Sequence, residues 1–395
     1  MSCGSGPGSG HTASAPGDHE SSLGRRGFLR AALAGGAALT GAGMLAACAS
    51  TDTPAAAGPV APSSLDVQGS KLTLVLLGTK AGPPPAAERV GISSALVVDG
   101  KTYLIDCGRS AVTQYKKSGL KYGELEGIFL THLHADHVAD YYNFFMMAGT
   151  TGERNGDVTP TGIPVYGPGS AGGLPVAQGG RTVPTVAPQS PTPGTREMTD
   201  RLHEAYAYTS NLFLRDAGFR DPRDIPDVRE ITIPSGVGAR WDNTAPDMAP
   251  FTVMEDDRVK VTATLVPHGP VFPSFAFRFD TDHGSVTFSG DTRYSENLIT
   301  LANSSNILVH EALRIPPDSG LTEEIIDHHR KSHVFVEDVG PIAQKANVPS
   351  LVLSHIEETG GRTIDAQVWS TEAQRGYDGT VTVGEDLMTI PVVRM

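Results

Sequence analysis

Cysteine is nearly absent from this chain: three residues in 395, at positions 3, 48 and 107. No disulfide framework can be built from them. Cys107 has nothing nearby that would activate a thiol, so it is expected to be a small buried residue. Basic residues are also scarce, with 31 Lys+Arg against 44 Asp+Glu and a formal charge of −13. Polyanions are bound through Lys and Arg with release of counterions, so this balance argues against a nucleic-acid partner. It leaves small anionic substrates open where a metal supplies the local field. Long apolar runs are missing too. The run from Ala31 to Ala47 is too short and too rich in glycine for a stable membrane span. No repeat recurs at a fixed period.

The first 47 residues are expected to be an export signal rather than part of a fold. Arg25-Arg26-Gly27-Phe28-Leu29-Arg30 is a twin-arginine pattern, and Leu45-Ala46-Ala47-Cys48 resembles a lipoprotein box. Cleavage before Cys48 would remove a segment of net charge +1 and leave a chain near −14. The expected location is the outer face of the cytoplasmic membrane or the periplasm, anchored through lipid on Cys48. Residues 48–70 read as a flexible tether rich in Ala, Pro, Ser and Thr. One domain is expected over 71–395, with an inserted segment around 169–250.

Within that domain the densest chemistry is His132-Leu133-His134-Ala135-Asp136-His137, directly after the apolar run Gly127-Ile128-Phe129-Leu130-Thr131. Imidazole and carboxylate suit zinc and related divalent ions. Ligands at alternate positions cannot converge on one ion from a continuing strand. They can where the strand ends in a loop.

Similar strand-like runs end in potential ligands elsewhere. Val259 to Val266 leads to His268, Val286-Thr287-Phe288 to Asp291, Asn306 to Val309 to His310-Glu311, and Ser350 to Leu353 to His355. His333 opens an expected helix over 334–346, and residues 138–148 and 197–217 also read as helical. Strands alternating with helices define an α/β fold. The ligands suffice for two ions. His132, His134 and His268 are assigned to one, Asp136, His137 and His355 to the other, and Asp291 bridges them. That leaves room for a shared water or hydroxide, which a purely structural zinc site lacks. His203 reads as a helix-packing or surface residue, His328 and His329 as exposed loop residues, and His283 and His310 as structural or exposed.

These residues carry a family resemblance. The ordered motifs are Leu77-Gly78-Thr79, Leu104-Ile105-Asp106-Cys107-Gly108, Thr131 through His137, Pro267-His268-Gly269, Phe288-Ser289-Gly290-Asp291-Thr292, Val309-His310-Glu311-Ala312, His333 and Leu353-Ser354-His355. Over roughly 71–168 and 255–395 the chain resembles the metallo-β-lactamase-fold hydrolases, in their ribonuclease Z-like and arylsulfatase-like branch. The resemblance implies a four-layer αββα sandwich and the metal positions assigned above. It also implies that His333 assists the transition state or leaving group, with Glu311 orienting it. One departure is plain. The RNA-binding arm of tRNA-processing members often lies between the third histidine motif and the Gly-Asp-Thr motif, where this chain has only 23 positions, from His268 to Asp291.

The expected function is therefore that of an exported dinuclear hydrolase of phosphodiesters or aryl sulfates, acting through a metal-bound hydroxide. Asp136 or Asp291 would orient the nucleophile. Zinc is the first choice for the two ions, with manganese or iron as alternatives. A small anionic ester is the expected partner, nucleic acid is not, and a homodimer is compatible. The alternatives are a lactonase or β-lactamase-like acyl hydrolase, a ribonuclease Z-type tRNA 3′ endonuclease (disfavoured by charge and export), and a non-catalytic metal-binding lipoprotein.

Overall fold

The leucine-rich run that opens the domain shows how the layers form. In the computed structural model, Leu72, Leu74 and Leu76 face one apolar cluster with Phe129, Val261, Phe277 and Phe279. Their neighbours Val75 and Leu77 face a second cluster with Tyr115, Phe144 and Phe145. A strand buried on both faces reads as a continuous apolar run rather than an alternating one. The run from Ile307 behaves the same way. Ile307 and Val309 join the first cluster, and Leu308 and Ala312 join a third with Val339, Ile342 and Trp369. Three apolar layers thus separate four layers of secondary structure, the αββα order expected.

The structure describes residues 70–150, 156–216 and 218–394. The expected export signal, Cys48 and the tether up to residue 69 lie outside the described residues. The first sheet holds β1 (Leu72–Gly78), β2 (Ser93–Val98), β3 (Lys101–Ile105), β4 (Leu125–Phe129), β5 (Ile163–Pro168) and β6 (Pro226–Ile231) in that order. The second holds β7 (Phe251–Glu255), β8 (Val259–Leu265), β9 (Phe275–Thr281), β10 (Gly284–Phe288), β11 (Ile307–Arg314), β12 (Ser350–Glu358) and β13 (Thr380–Val383), also in order. The last strand, β14 (Met388–Pro391), returns to pair antiparallel with β1. Pairs β3–β4, β10–β11 and β11–β12 are parallel, so their carboxyl ends lie side by side and deliver successive loops to one rim.

Helices α1 (Ala111–Lys117), α2 (Ala135–Val138), α3 (Asn143–Met146), α4 (Thr195–Ala205) and α5 (Ala207–Asp216) accompany the first sheet in sequence. Helices α6 (Glu296–Ala302), α7 (Glu323–Ser332), α8 (Val336–Lys345) and α9 (Ala366–Ala373) accompany the second. The segment 169–250 supplies α4, whose Met198 and Leu202 pack on the outer cluster, and β6, which pairs parallel with β5. No helix among the described residues is long and apolar enough to cross a membrane.

Three expectations need correction. Residues 138–148 are not one helix: α2 ends at Val138, and within that range only α3, Asn143–Met146, is helical. The backbone there is diverted to Cys107, whose N–H donates to His137 O at 2.7 Å and whose carbonyl accepts from Asp140 N at 2.9 Å. His333 does not open a helix. Residues 333–335 are extended because Val334 O accepts from Leu313 N at 2.9 Å, laying the segment against β11, and α8 starts only at Val336. His328 and His329 lie on α7 rather than in a loop. The Thr322 hydroxyl caps that helix by accepting from Ile325 N, with Glu323 and Glu324 in its first turn and Arg330 and Lys331 in its last.

Candidate metal centre

The loop after β4 brings His132, His134, Asp136 and His137 to the rim where β8, β10 and β12 deliver His268, Asp291 and His355. They form two groups, His132–His134–His268–Asp291 and Asp136–His137–Asp291–His355. Within each group the ligand atoms lie within 4.8 Å of one another. Asp291 belongs to both. Its Oδ2 faces His132 Nε2 at 3.9 Å and His268 Nε2 at 3.7 Å, and its Oδ1 faces His137 Nε2 and His355 Nε2, each at 3.3 Å. Asp136 Oδ2 stands 3.5 Å from His137 Nε2 and 3.4 Å from His355 Nε2. Ligands about 2.0–2.2 Å from one ion stand roughly 3–3.5 Å apart, so these separations suit two ions sharing a carboxylate.

The polar atoms themselves test the fit. His132 Nε2, His137 Nε2, Asp136 Oδ1 and Asp291 Oδ1 are buried without a hydrogen-bond partner in the protein. Four such atoms converging in one place would be costly unless cations and an enclosed water satisfied them between them. The protonation states agree for most of the set. Burial keeps His132, His134 and His268 neutral, with His268 pushed down to about 4. Burial alone would raise Asp136 and Asp291, but facing histidines, His355 foremost, hold both well below the usual carboxylate range. His137 differs. Burial would lower it, yet Asp291 and Asp106 together raise it, so an incoming ion must displace its proton.

Local backbone places these groups. Gly290 has φ +59°, and a Cβ there would sit 2.5 Å from Phe275 O, so the turn before Asp291 requires glycine. His355 takes φ +56° where the β11–β12 register shifts, and its ring is thereby turned from the sheet toward the carboxylates.

Sequence reading gave no role to Asp106, at the carboxyl end of β3. Its Oδ2 lies 2.8 Å from His137 Nδ1, and its two oxygens accept from Thr131 N at 2.8 Å and Thr131 Oγ1 at 2.9 Å. His268 is held similarly, its Nδ1 lying 2.8 Å from the Ser332 carbonyl. Fixing the far ring nitrogen sets which nitrogen faces the ion and raises its basicity. The signal available was an aspartate ending an apolar strand run, but its partner is 31 positions away. Replacing Asp106 with asparagine is expected to weaken metal binding about 10–100-fold, measured by chelator competition. An unchanged affinity would remove Asp106 from this role.

Glu311 and His333 stand beside the two groups. His333 Nδ1 lies 3.0 and 3.1 Å from the Glu311 oxygens, and one of those oxygens accepts from Thr292 N at 2.9 Å. Glu311 is fully enclosed, and burial raises its carboxyl above the usual range. Burial opposes charge on His333, but Glu311, joined by Asp291 and Asp136, lifts the imidazole to about 9. Three other described histidines, His203, His310 and His283, have structural partners. His203 Nδ1 meets Tyr142 Oη at 2.8 Å, buried His310 Nδ1 meets the Glu311 carbonyl, and His283 Nε2 pairs with Asp99. Cys107 is free and buried, as expected.

Comparison with known proteins adds three kinds of likeness. Residues 73–148 match the family model described as Anti-Pycsar protein Apyc1. The chain is 26% identical to Ribonuclease Z of Mycobacterium bovis (strain BCG / Pasteur 1173P2) over 323 residues, covering 81% of this chain and 98% of that protein. Among solved structures it is similar to the metallo-β-lactamase-fold protein YhfI from Bacillus subtilis, with TM-score 0.54 and 16% identity over 81% of this chain and 98% of that one. It is also similar to the short form of human tRNase Z, with TM-score 0.52 and 20% identity over 82% and 100%.

Proposed function

We propose that this chain, which has the metallo-β-lactamase fold and ribonuclease Z homologues, is a dinuclear metal-dependent phosphodiesterase acting on a small anionic diester. One observation carries the reading: the two oxygens of Asp291 face two separate His/Asp groups, with the Glu311–His333 pair alongside. His132, His134 and His268 would hold one ion, Asp136, His137 and His355 the other, and Asp291 both. Zinc suits the donors best, with manganese or iron as alternatives. When bound, two such ions lower the pKa of water and neutralise charge developing on the substrate.

The chain's own residues supply the rest. Asp136 Oδ1, buried and without a protein partner, can accept a hydrogen bond from the attacking water and aim it. His333 gives a proton to the departing oxygen from Nε2, because Nδ1 is engaged by Glu311. Homology to a ribonuclease supports a phosphodiester over an aryl sulfate, a lactone or a lactam. It also supports RNA itself as a second reading, which the formal charge of −13 opposes. The Arg25-Arg26 run and Cys48 support an exported, lipid-anchored placement.

The test is metal analysis of the purified protein followed by one substrate panel: a bis-aryl phosphate, an aryl sulfate, a lactone, a cephalosporin and a short tRNA-like RNA. Two ions per chain and the highest kcat/KM on the bis-aryl phosphate are expected. Fewer than about one tightly bound ion, or faster turnover of the lactone or lactam, would overturn the reading.

A further inference from the structure

We propose that the cleft beside His333 is a leaving-group subsite for a single aromatic ring bearing a negative charge. The inference rests on the reading of His333 as the group that meets the departing oxygen. The cleft measures about 270 Å³ and is lined by Tyr294, Arg330, His333, Phe335, Asp338 and Lys345 among others. Tyr294 lies three positions beyond the bridging Asp291. Arg330 is in the last turn of α7, and Asp338 and Lys345 are on α8. The loop that carries the shared carboxylate and the linker that carries His333 are therefore two walls of one cleft.

Its chemistry selects for both a ring and a charge. The Arg330 guanidinium lies 5.4 Å from the centre of the Phe335 ring, and Lys345 Nζ lies 4.9 Å from that of Tyr294. Lys345 also donates to Tyr294 Oη at 2.6 Å, which holds the phenol ring at the cleft wall. Two cations against the single carboxylate of Asp338 make the lining positive in a chain of formal charge −13. The other partners of these cations, Asp327 at 3.3 Å from Arg330 and Glu296 at 3.9 Å from Lys345, are exposed, and such ion pairs exchange readily for a bound anion. Pockets for drug-sized ligands span about 300–1,000 Å³, so this cleft admits one ring rather than several.

The experiment uses the metal-loaded full chain and two probes that share the phenol ring and differ by one anionic group, phenol and 4-hydroxybenzenesulfonate. A sulfonate is a poor metal ligand, so direct capture by the ions is minimised. Calorimetric titration is expected to show the sulfonate binding about tenfold more tightly than phenol, and Arg330→Ala with Lys345→Ala to abolish that preference. In turnover, methyl 4-sulfophenyl phosphate is expected to show a KM about tenfold below that of methyl phenyl phosphate, with the ratio collapsing in the double variant. A preference that is absent, or that survives the double variant, overturns the subsite whatever the turnover. A preference that depends on Arg330 and Lys345 without hydrolysis of either diester upholds the ring-and-anion site and overturns the hydrolase reading instead.

Discussion

Asp291→Asn is expected to remove both bound ions and to lower kcat/KM on the best diester at least about a thousandfold. Each of its oxygens serves a different group, so one substitution weakens both. Asparagine keeps the shape and the Gly290 turn but offers only one oxygen and no charge. The seven clustered residues then present five histidines and a single carboxylate, Asp136. Metal content by mass spectrometry, with circular dichroism as a folding control, decides the point. Retention of two ions with full activity would exclude a bridging role.

His333→Gln is expected to cost about 10²–10⁴ in kcat for a diester with a poor leaving group and far less when the departing oxygen needs no proton. Glutamine can still donate a hydrogen bond but cannot deliver a proton. In the wild type the imidazole is protonated up to about pH 9 because the Glu311 carboxylate faces it. A general acid must be protonated to act, so activity should fall as pH rises through that value. Cations in the adjacent sites would move the limb to lower pH. Glu311→Gln removes the main charge holding that proton and should move the limb lower still, while His333→Gln should abolish it. Profiles of kcat/KM for the three proteins on one substrate make the comparison. A limb that persists in the His333 variant belongs to another group.

Some of this was legible in the sequence for a local reason. The loop from His132 to His137 packs four ligands into six residues behind an apolar strand, so neither its chemistry nor its place at a strand end needs distant information. The same pattern at Asp291 and His355 was readable because strands buried on both faces are largely apolar runs that stop where the chain reaches the rim, and His268 follows a strand whose apolar residues alternate before its buried end. The αββα layering followed from the family resemblance, and the three apolar clusters show its physical basis.

Other features were not legible, and for the opposite reason. α7 is polar, and Ser332 is its one buried residue, so no apolar periodicity announced it. Residues 138–148 read as one helix because what breaks it, backbone bonds from His137 and Asp140 to Cys107, involves a residue about 30 positions earlier.

The sequence by itself determined which atoms could bind metal, because ligand identity is a property of side chains and their local spacing. Only the tertiary structure decided what those atoms face. It set the two oxygens of Asp291 between two groups, gave Asp106 to His137 and the Ser332 carbonyl to His268, and laid His333 against Glu311 in an extended linker rather than at a helix start. Each of these contacts joins residues far apart along the chain. They form when buried polar groups find the partners that packing leaves within reach.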